Sequence, residues 1–280
     1  MIQKDDIEIN ATVLGTGWWS LDRAGPGNLI SFGDTHILVD CGRDATTQTF
    51  KTGLDTSKIS YVFITHQHLD HNIDLIQLIF SSWLTGRSKP LHVFGPKGTS
   101  KLIDDLFGKN GFYSGDIESR VKDASLPIEG MQIKGIDVKK PGLLHQVDNW
   151  SVTTAATPHS DYIDSWAYRF QIQNKSVVVS GDTSPSKSVV ELAKDADLLI
   201  HECTGTYDII KRLGFENNHT NSRSLGKIAH EANVKRVALV HFGGNHEADR
   251  PIFLAQMVKE VKETFTGEVI LGEDLTKISF

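Results

Sequence analysis

Short apolar segments alternate with amphipathic ones along most of the chain. Nine apolar runs have the length of β-strands: residues 11–14, 28–31, 36–40, 61–65, 91–94, 151–156, 176–180, 198–201 and 236–241. Apolar residues three to four positions apart predict helices over residues 70–83, 99–107, 186–194, 222–231 and 252–265. Residues 177–179 and 198–200 are apolar at successive positions, as expected when both faces of a sheet are covered. The pattern therefore predicts a layered α/β protein.

Composition and charge are typical of one folded unit. The 280 residues contain no Pro/Gly/Ser-rich linker, charge block or repeat, so we expect a single domain over residues 1–280. The net charge of −6 disfavours a protein that binds along a nucleic-acid backbone. A polar start and the absence of a long apolar segment predict a cytoplasmic protein without membrane attachment. Cys41 and Cys203 are expected to be buried, reduced thiols.

Three histidines and a carboxylate lie within six residues directly after the predicted strand 61–65. His66 and His68 can point to one side of a tight loop, while Asp70 and His71, at the start of the following helix, can point to a neighbouring position. Imidazole nitrogens and carboxylate oxygens suit zinc, with iron or manganese as alternatives. The loop therefore predicts a site for two metal ions.

Further candidate ligands also follow predicted strands. They are His159 in Thr-Pro-His, Asp182 in Ser-Gly-Asp and His241 in Leu-Val-His. Functional side chains gather where the strands of such sheets end. We therefore expect these three residues to lie at the same edge as the histidine loop.

The motif Thr65-His66-x-His68-x-Asp70-His71 and the later residues His159, Asp182 and His241 resemble the metallo-β-lactamase superfamily. The resemblance covers nearly the whole chain and implies a four-layer αββα sandwich that binds two divalent metal ions. It implies that one metal is held by His66, His68 and His159, the other by Asp70, His71 and His241, and that Asp182 bridges them. Asp70 thereby also counts among the catalytic residues.

A set of shorter motifs is similar to the branch containing ribonuclease Z, microbial arylsulfatases and cyclic-nucleotide phosphodiesterases. In chain order the motifs are Gly15-Thr16-Gly17, Val39-Asp40-Cys41-Gly42, Phe94-Gly95-Pro96, Ser180-Gly181-Asp182-Thr183 and Leu199-Ile200-His201-Glu202. The bridging position holds Asp182 instead of the cysteine of antibiotic-degrading members, and the H-x-E-x-D pattern of the oxygen-reducing branch is absent. The resemblance therefore implies a hydrolase.

The expected substrate is a small ester. Ribonuclease Z enzymes typically insert a tRNA-gripping arm between the third histidine ligand and the bridging aspartate, but His159 and Asp182 are only 23 positions apart. We expect hydrolysis of a small phosphodiester or sulfate ester by a hydroxide that bridges the metals. The alternatives are a lactonase of the acyl-homoserine-lactone type, an arm-less ribonuclease and a non-catalytic scaffold, which should show broken ligands. A homodimer is common among such relatives.

His219, in His219-Thr220-Asn221-Ser222, resembles the branch's H-[ST] box. The resemblance implies that its imidazole donates a proton to the leaving group or contacts the transition state. Thr220 or Asn221 could also cap the helix that follows.

Other histidines and the tryptophans leave alternatives open. His145 is the rival of His159 as third ligand, His201 is expected to support a ligand through a hydrogen bond, and His246 could contact substrate. His36, His92 and His230 lie within or beside regular elements and are interpreted as structural. Trp18, Trp19 and Trp83 could form an apolar substrate wall or belong to the core.

Overall fold

The computed structural model describes residues 7–18, 21–147, 149–243 and 250–280. In chain order its strands are β1 (Ile9–Gly15), β2 (Gly27–Phe32), β3 (Thr35–Val39), β4 (Ile59–Phe63), β5 (Leu91–Gly95), β6 (Ile133–Asp137), β7 (Gly142–Val147), β8 (Trp150–Ala156), β9 (Trp166–Ile172), β10 (Lys175–Val179), β11 (Leu198–Glu202), β12 (Arg236–Val240), β13 (Glu268–Leu271) and β14 (Thr276–Ser279). The α-helices are α1 (Ala45–Lys51), α2 (Leu75–Leu84), α3 (Thr99–Phe107), α4 (Ser114–Asp123), α5 (Lys187–Leu192), α6 (Tyr207–Leu213), α7 (Ser222–Glu231) and α8 (Arg250–Val261).

The strands form two sheets that face each other. One has the order β14-β1-β2-β3-β4-β5-β6 and the other β13-β12-β11-β10-β9-β8-β7. Both are mixed sheets, with parallel pairing from β3 to β6 and from β10 to β13. Apolar side chains of both sheets, among them Ile37, Phe63, Phe170 and Ile200, share one buried core between the sheets.

Helices cover the outer face of each sheet. Leu38 and Val62 of the first sheet pack into one core with Leu78 of α2. On the other side, Leu199 packs with Leu225 of α7 and other apolar residues of α5, α7 and α8. The layers are therefore helix, sheet, sheet and helix, which confirms the predicted four-layer αββα sandwich. No helix in the described part of the chain is long and apolar enough to cross a membrane.

All nine predicted strands are present, whereas five observed strands were not predicted. β6, β7, β9 and β14 were missed because polar residues interrupt their apolar positions, and β13 was missed because its apolar run is only three residues long. In β9, for example, Arg169 and Gln171 alternate with buried Tyr168 and Phe170, so only every second residue carries the signal.

The helix predicted over residues 70–83 begins later, at Leu75. Leu69–His71 form a single 3₁₀ turn instead of the first turn of that helix. The backbone N–H of Asp74 donates to Cys41 O, and the carboxylate of Asp74 accepts from Thr46 N at 2.7 Å. These contacts tie the chain to the loop after β3 and to the start of α1, and they separate the metal-binding motif from α2. The expectation that Asp70 and His71 start the α-helix was therefore wrong.

Candidate metal centre

Three histidine nitrogens converge at the carboxyl end of β4. Nε2 of His66 lies 3.0 Å from Nδ1 of His68, which in turn lies 3.1 Å from Nε2 of His159. Oδ2 of Asp182 is 3.9 Å from the His66 nitrogen and 3.8 Å from that of His159. The donor atoms of all four residues lie within 4.8 Å of one another. Three nitrogens and one oxygen so placed fit a single divalent ion.

A second group lies directly beside the first. Nε2 of His71 is 3.6 Å from Oδ2 of Asp70 and 3.4 Å from Nε2 of His241, and the latter is 3.5 Å from Oδ2 of Asp70. Asp182 also contacts this group, with Oδ1 3.4 Å from Nε2 of His71 and Oδ2 3.3 Å from Nε2 of His241. The Asp182 carboxylate thus lies between two sets of donors, and the structure brings together all seven predicted ligands.

Two carboxylate oxygens in this cluster have no hydrogen bond. Oδ2 of Asp70 and Oδ1 of Asp182 are buried and accept none from the described residues. A buried carboxylate oxygen without a partner is costly unless a cation satisfies it. Burial, reinforced by the neighbouring His71, also holds the pKa of His66 well below its usual range. Neutral imidazole is the form that coordinates a metal, so the low pKa of His66 suits a ligand. The pKa of His71 is instead raised well above its usual range, because the charges of Asp182 and Asp40 outweigh burial. The two unpartnered carboxylate oxygens and the neutral His66 fit a divalent ion.

Hydrogen bonds on the far side of the rings orient the predicted ligands. Nδ1 of His71 lies 2.9 Å from Oδ2 of Asp40, and Nδ1 of His159 donates to Asn218 O at 2.8 Å. Asp40 also accepts from the backbone N–H and the hydroxyl of Thr65, at 2.8 and 3.0 Å. Each contact leaves the Nε2 of its histidine facing the cluster. Sequence reasoning did not assign this role to Asp40, whose signal was a carboxylate directly after a buried strand.

Glu202 holds His219 beside the cluster. Nδ1 of His219 lies 3.2 Å from Oε1 of Glu202 and 4.0 Å from Oδ2 of Asp182. Burial alone would lower the pKa of His219, but the hydrogen bond and the charge of Glu202 outweigh burial and raise it to about 9. This pKa favours the imidazolium form of His219 at neutral pH. Asn221 caps α7 by accepting from Ser224 N at 2.9 Å, so capping and the placement of His219 belong to different residues.

The other candidates lie in different places. His145 packs among the rings of Tyr61, Phe94 and Trp150 and is not part of the cluster. His201 donates from Nδ1 to Glu202 O, and its buried Nε2 has no partner among the described residues, so the expected support of a ligand was wrong.

The remaining predictions concern residues in regular elements, the tryptophans and the cysteines. His36, His92 and His230 lie in β3, β5 and α7, as predicted. Trp83 belongs to the core. Trp18 lies at the cluster, and Trp19 and His246 are outside the described residues. Cys41 and Cys203 are buried free thiols, as expected.

Comparisons with known proteins agree with this geometry. The family model described as "Anti-Pycsar protein Apyc1" matches residues 10–262. Ribonuclease Z of Mycobacterium bovis (strain BCG / Pasteur 1173P2) is 27% identical, covering 96% of this chain and 98% of the relative. The metallo-β-lactamase fold protein YhfI from Bacillus subtilis matches with a TM-score of 0.78 at 24% identity, covering 98% and 100% of the two chains. Human tRNase Z, short form, has a TM-score of 0.71 at 23% identity and covers 96% and 98%.

These findings confirm the fold, the superfamily and the enzyme class expected from the sequence. The chain is a metal-dependent hydrolase of the metallo-β-lactamase superfamily that acts on ester bonds. Because the family model covers most of the chain, the protein belongs to the family of the anti-Pycsar protein Apyc1.

Proposed function

We propose that the protein is a dinuclear-metal phosphodiesterase that acts on small phosphodiesters. The observation that carries the proposal is the position of Asp182. Its carboxylate is 3.3–3.9 Å from nitrogens of His66, His71, His159 and His241, and its Oδ1 accepts no hydrogen bond from the described residues. A carboxylate shared by two such donor sets suits the bridging position of a two-metal site.

Zinc is the expected metal, with manganese or iron as alternatives, because the donors are imidazole nitrogens and carboxylate oxygens. Two divalent ions in the cluster would supply a hydroxide nucleophile at neutral pH and polarise the phosphoryl oxygen. The protein's own contribution is orientation. Asp40 and Asn218 fix two of the histidine rings, and Asp70 and Asp182 are themselves buried, whereas His68 lies at the exposed side of the cluster.

His219 is the proposed proton donor. The centroid of its ring lies 5.0 Å from the ring centroid of His159 and 5.8 Å from that of His241, between the two donor sets. The Glu202 carboxylate also accepts from the backbone N–H groups of Thr183 and Thr220, so its own position is fixed. A protonated imidazole held in this way can give its proton to a departing alcohol oxygen. An alkoxide is a poor leaving group, so the proton transfer contributes most to alkyl esters.

The short chain between His159 and Asp182 favours a small substrate. It contains only β9, β10 and their connections, with no extension that could hold a folded RNA. Remote contacts supply much of the binding energy for a large substrate. A net charge of −6 adds no general attraction for a polyanion. Sulfate esters and lactones remain alternative substrates of the same donor set.

A second candidate is a ribonuclease. The observation in its favour is the 27% identity to a relative named ribonuclease Z over 96% of the chain. A ribonuclease also cleaves a phosphodiester, so the two candidates share the reaction and differ in how the substrate is bound.

The first prediction separates the candidate substrates. Purified protein loaded with zinc or manganese is assayed with a 3′,5′-cyclic nucleotide, bis(p-nitrophenyl) phosphate, p-nitrophenyl sulfate, an acyl-homoserine lactone and a precursor tRNA. We expect higher kcat/KM for the two small phosphodiesters than for the other three. Asp182→Asn should remove activity on every substrate, whereas His230→Ala, at an exposed helix position, should not change it. Site-specific cleavage of the precursor tRNA with a higher kcat/KM would establish the ribonuclease instead.

A further inference from the structure

Trp18 lies in a segment that is fixed against the candidate metal centre. Directly after β1, the backbone N–H and the hydroxyl of Thr16 donate to Oδ1 of Asp274, at 3.1 and 3.0 Å. Phe242 N donates to Thr16 O at 2.9 Å, and Gly17 pairs with Phe242 as an isolated bridge. The residue before Phe242 is His241, so these hydrogen bonds hold the start of the Trp18 segment beside a predicted ligand.

The indole ring faces the two histidines on one side of the cluster. Its centroid lies 5.9 Å from that of His219 and 6.2 Å from that of His241. Phe215 packs edge-on against it, with ring centroids 6.2 Å apart and an interplanar angle of 80°. The backbone carbonyl of Phe215 accepts from His219 N at 2.8 Å, so the turn that positions His219 also positions Phe215.

Trp18 is not part of a hydrophobic core. Trp83, Trp150 and Trp166 are buried members of the apolar clusters, whereas Trp18 is only partly buried and belongs to none of the clusters formed by the described residues. A large aromatic side chain that is partly exposed beside a polar site offers a flat apolar surface to a ligand.

We propose that Trp18, supported by Phe215, forms an aromatic subsite that stacks on a planar ring of the substrate. Its contact with His219 places the subsite on the side where the leaving group is protonated, so the stacked ring belongs to the alcohol portion of the ester. A nucleobase and a simple aryl group share this chemistry. The assignment to the leaving-group side rests on the proposed function, while the stacking itself does not.

Binding to the zinc-loaded protein tests the subsite without turnover. Isothermal titration compares adenosine 5′-monophosphate with ribose 5-phosphate, and phenyl phosphate with methyl phosphate. Stacking on an aromatic side chain strengthens the binding of a planar ring. We therefore expect the ring-bearing ligand of at least one pair to bind about 5- to 100-fold more tightly than its partner. A preference within the first pair assigns a nucleobase, and a preference within the second pair alone assigns a simple aryl group.

Substitutions decide whether Trp18 causes the preference. Trp18→Leu should bring the two ligands of each pair to equal affinity, while Trp18→Phe should retain most of the preference because it keeps a ring. Phe112→Leu, at an exposed aromatic position in the turn before α4, is the matched control and should bind as the wild type does. Metal content of each variant is measured alongside.

The outcomes for the subsite and for the proposed function are distinguishable. If no phosphodiester is hydrolysed but the preference is present and depends on Trp18, the proposed function fails and the subsite stands. If phosphodiesters are hydrolysed but Trp18→Leu retains the wild-type preference, or the wild type has none, the subsite is overturned.

Discussion

At the scale of single residues, the surroundings of His219 decide its chemistry. Burial disfavours the imidazolium ion, yet the Glu202 carboxylate at 3.2 Å raises the pKa to about 9. Glu202 is itself buried and accepts hydrogen bonds from three backbone N–H groups, of Thr183, Thr204 and Thr220, and from the Thr204 hydroxyl. Those bonds stabilise its negative charge, which in turn stabilises the proton on His219.

The pH dependence of the reaction should report this proton. His219 is protonated below its pKa, so the rate on a substrate with an alkoxide leaving group should fall as the pH rises through about 9. In His219→Ala the fall should be absent, and the rate at neutral pH should be lower by about 10²–10⁴-fold, the usual contribution of a general acid. The rate is measured from pH 6 to 10 with a cyclic nucleotide and with bis(p-nitrophenyl) phosphate.

The nitrophenyl substrate provides the internal control, because nitrophenolate leaves with little protonation. It should lose much less rate in His219→Ala. Equal losses on the two substrates, or an alkaline limb that persists in the variant, would contradict proton donation by His219.

The sequence predicted which side chains come together where the signal is local. The motif His66-x-His68-x-Asp70-His71 is contiguous, and His159, Asp182 and His241 each follow an apolar strand. Asp40 and Glu202 had the same local signal, a carboxylate at the end of a buried strand. Asp40 lies 31 positions before His71, and Glu202 lies 17 positions before His219. Hydrogen bonds between such distant positions depend on how the chain folds, and hydrophobic periodicity carries no information about them.

At the scale of elements, the turn after β10 shows how tightly the site is built. Gly181 has φ +60°, and a Cβ there would lie 2.6 Å from Cβ of Thr65, whose hydroxyl is bound to Asp40. The turn therefore needs glycine both for its left-handed backbone and for its close approach to the loop that follows β4. His241 also has positive φ, 61°, which is uncommon for a residue with a side chain and is typical of functional sites.

Gly181→Ala should lower the free energy of unfolding by about 2–4 kcal/mol, the combined cost of left-handed strain and overlap. It should also reduce metal content, because Asp182 is the next residue. Gly53→Ala is the matched control, with φ +87° and open space around its Cβ. That control should lose only about 1–2 kcal/mol and retain its metal. Urea unfolding in the presence of a chelator measures the free energy of unfolding apart from metal binding. Equal losses of that free energy in the two variants would contradict the prediction, because they would mean that the overlap with Thr65 is relieved.

The predicted helices have apolar residues at helical spacing, whereas α1 and α4 lack that pattern and were not predicted. α1, with the sequence Ala-Thr-Thr-Gln-Thr-Phe-Lys, has several weak helix formers, and only Ile117 is buried in α4. Such helices form because tertiary packing supports them, so their own residues give little periodic signal.

At the scale of the whole molecule, each sheet supplies part of the centre. The first sheet leads into the loop with His66, His68, Asp70 and His71, and the second leads into His159, Asp182 and His241. Because the interface between the sheets is a continuous apolar core, the two sets are held at a fixed separation without a dedicated linker. The resemblance implied this pairing of sheets, whereas the order of the strands came from the structure.

The central claim is that Asp182 joins two metal sites, and the metal content of the protein tests it most directly. Inductively coupled plasma mass spectrometry of zinc-loaded protein should find about two ions per chain in the wild type, as in other two-metal sites. His159→Ala and His241→Ala should each retain about one, since each removes a ligand of one site only. The metal content of Asp182→Ala should fall below that of both variants, and the metal content of His219→Ala should equal that of the wild type. An Asp182→Ala protein that keeps two ions, or a His219→Ala protein that loses one, would contradict the account.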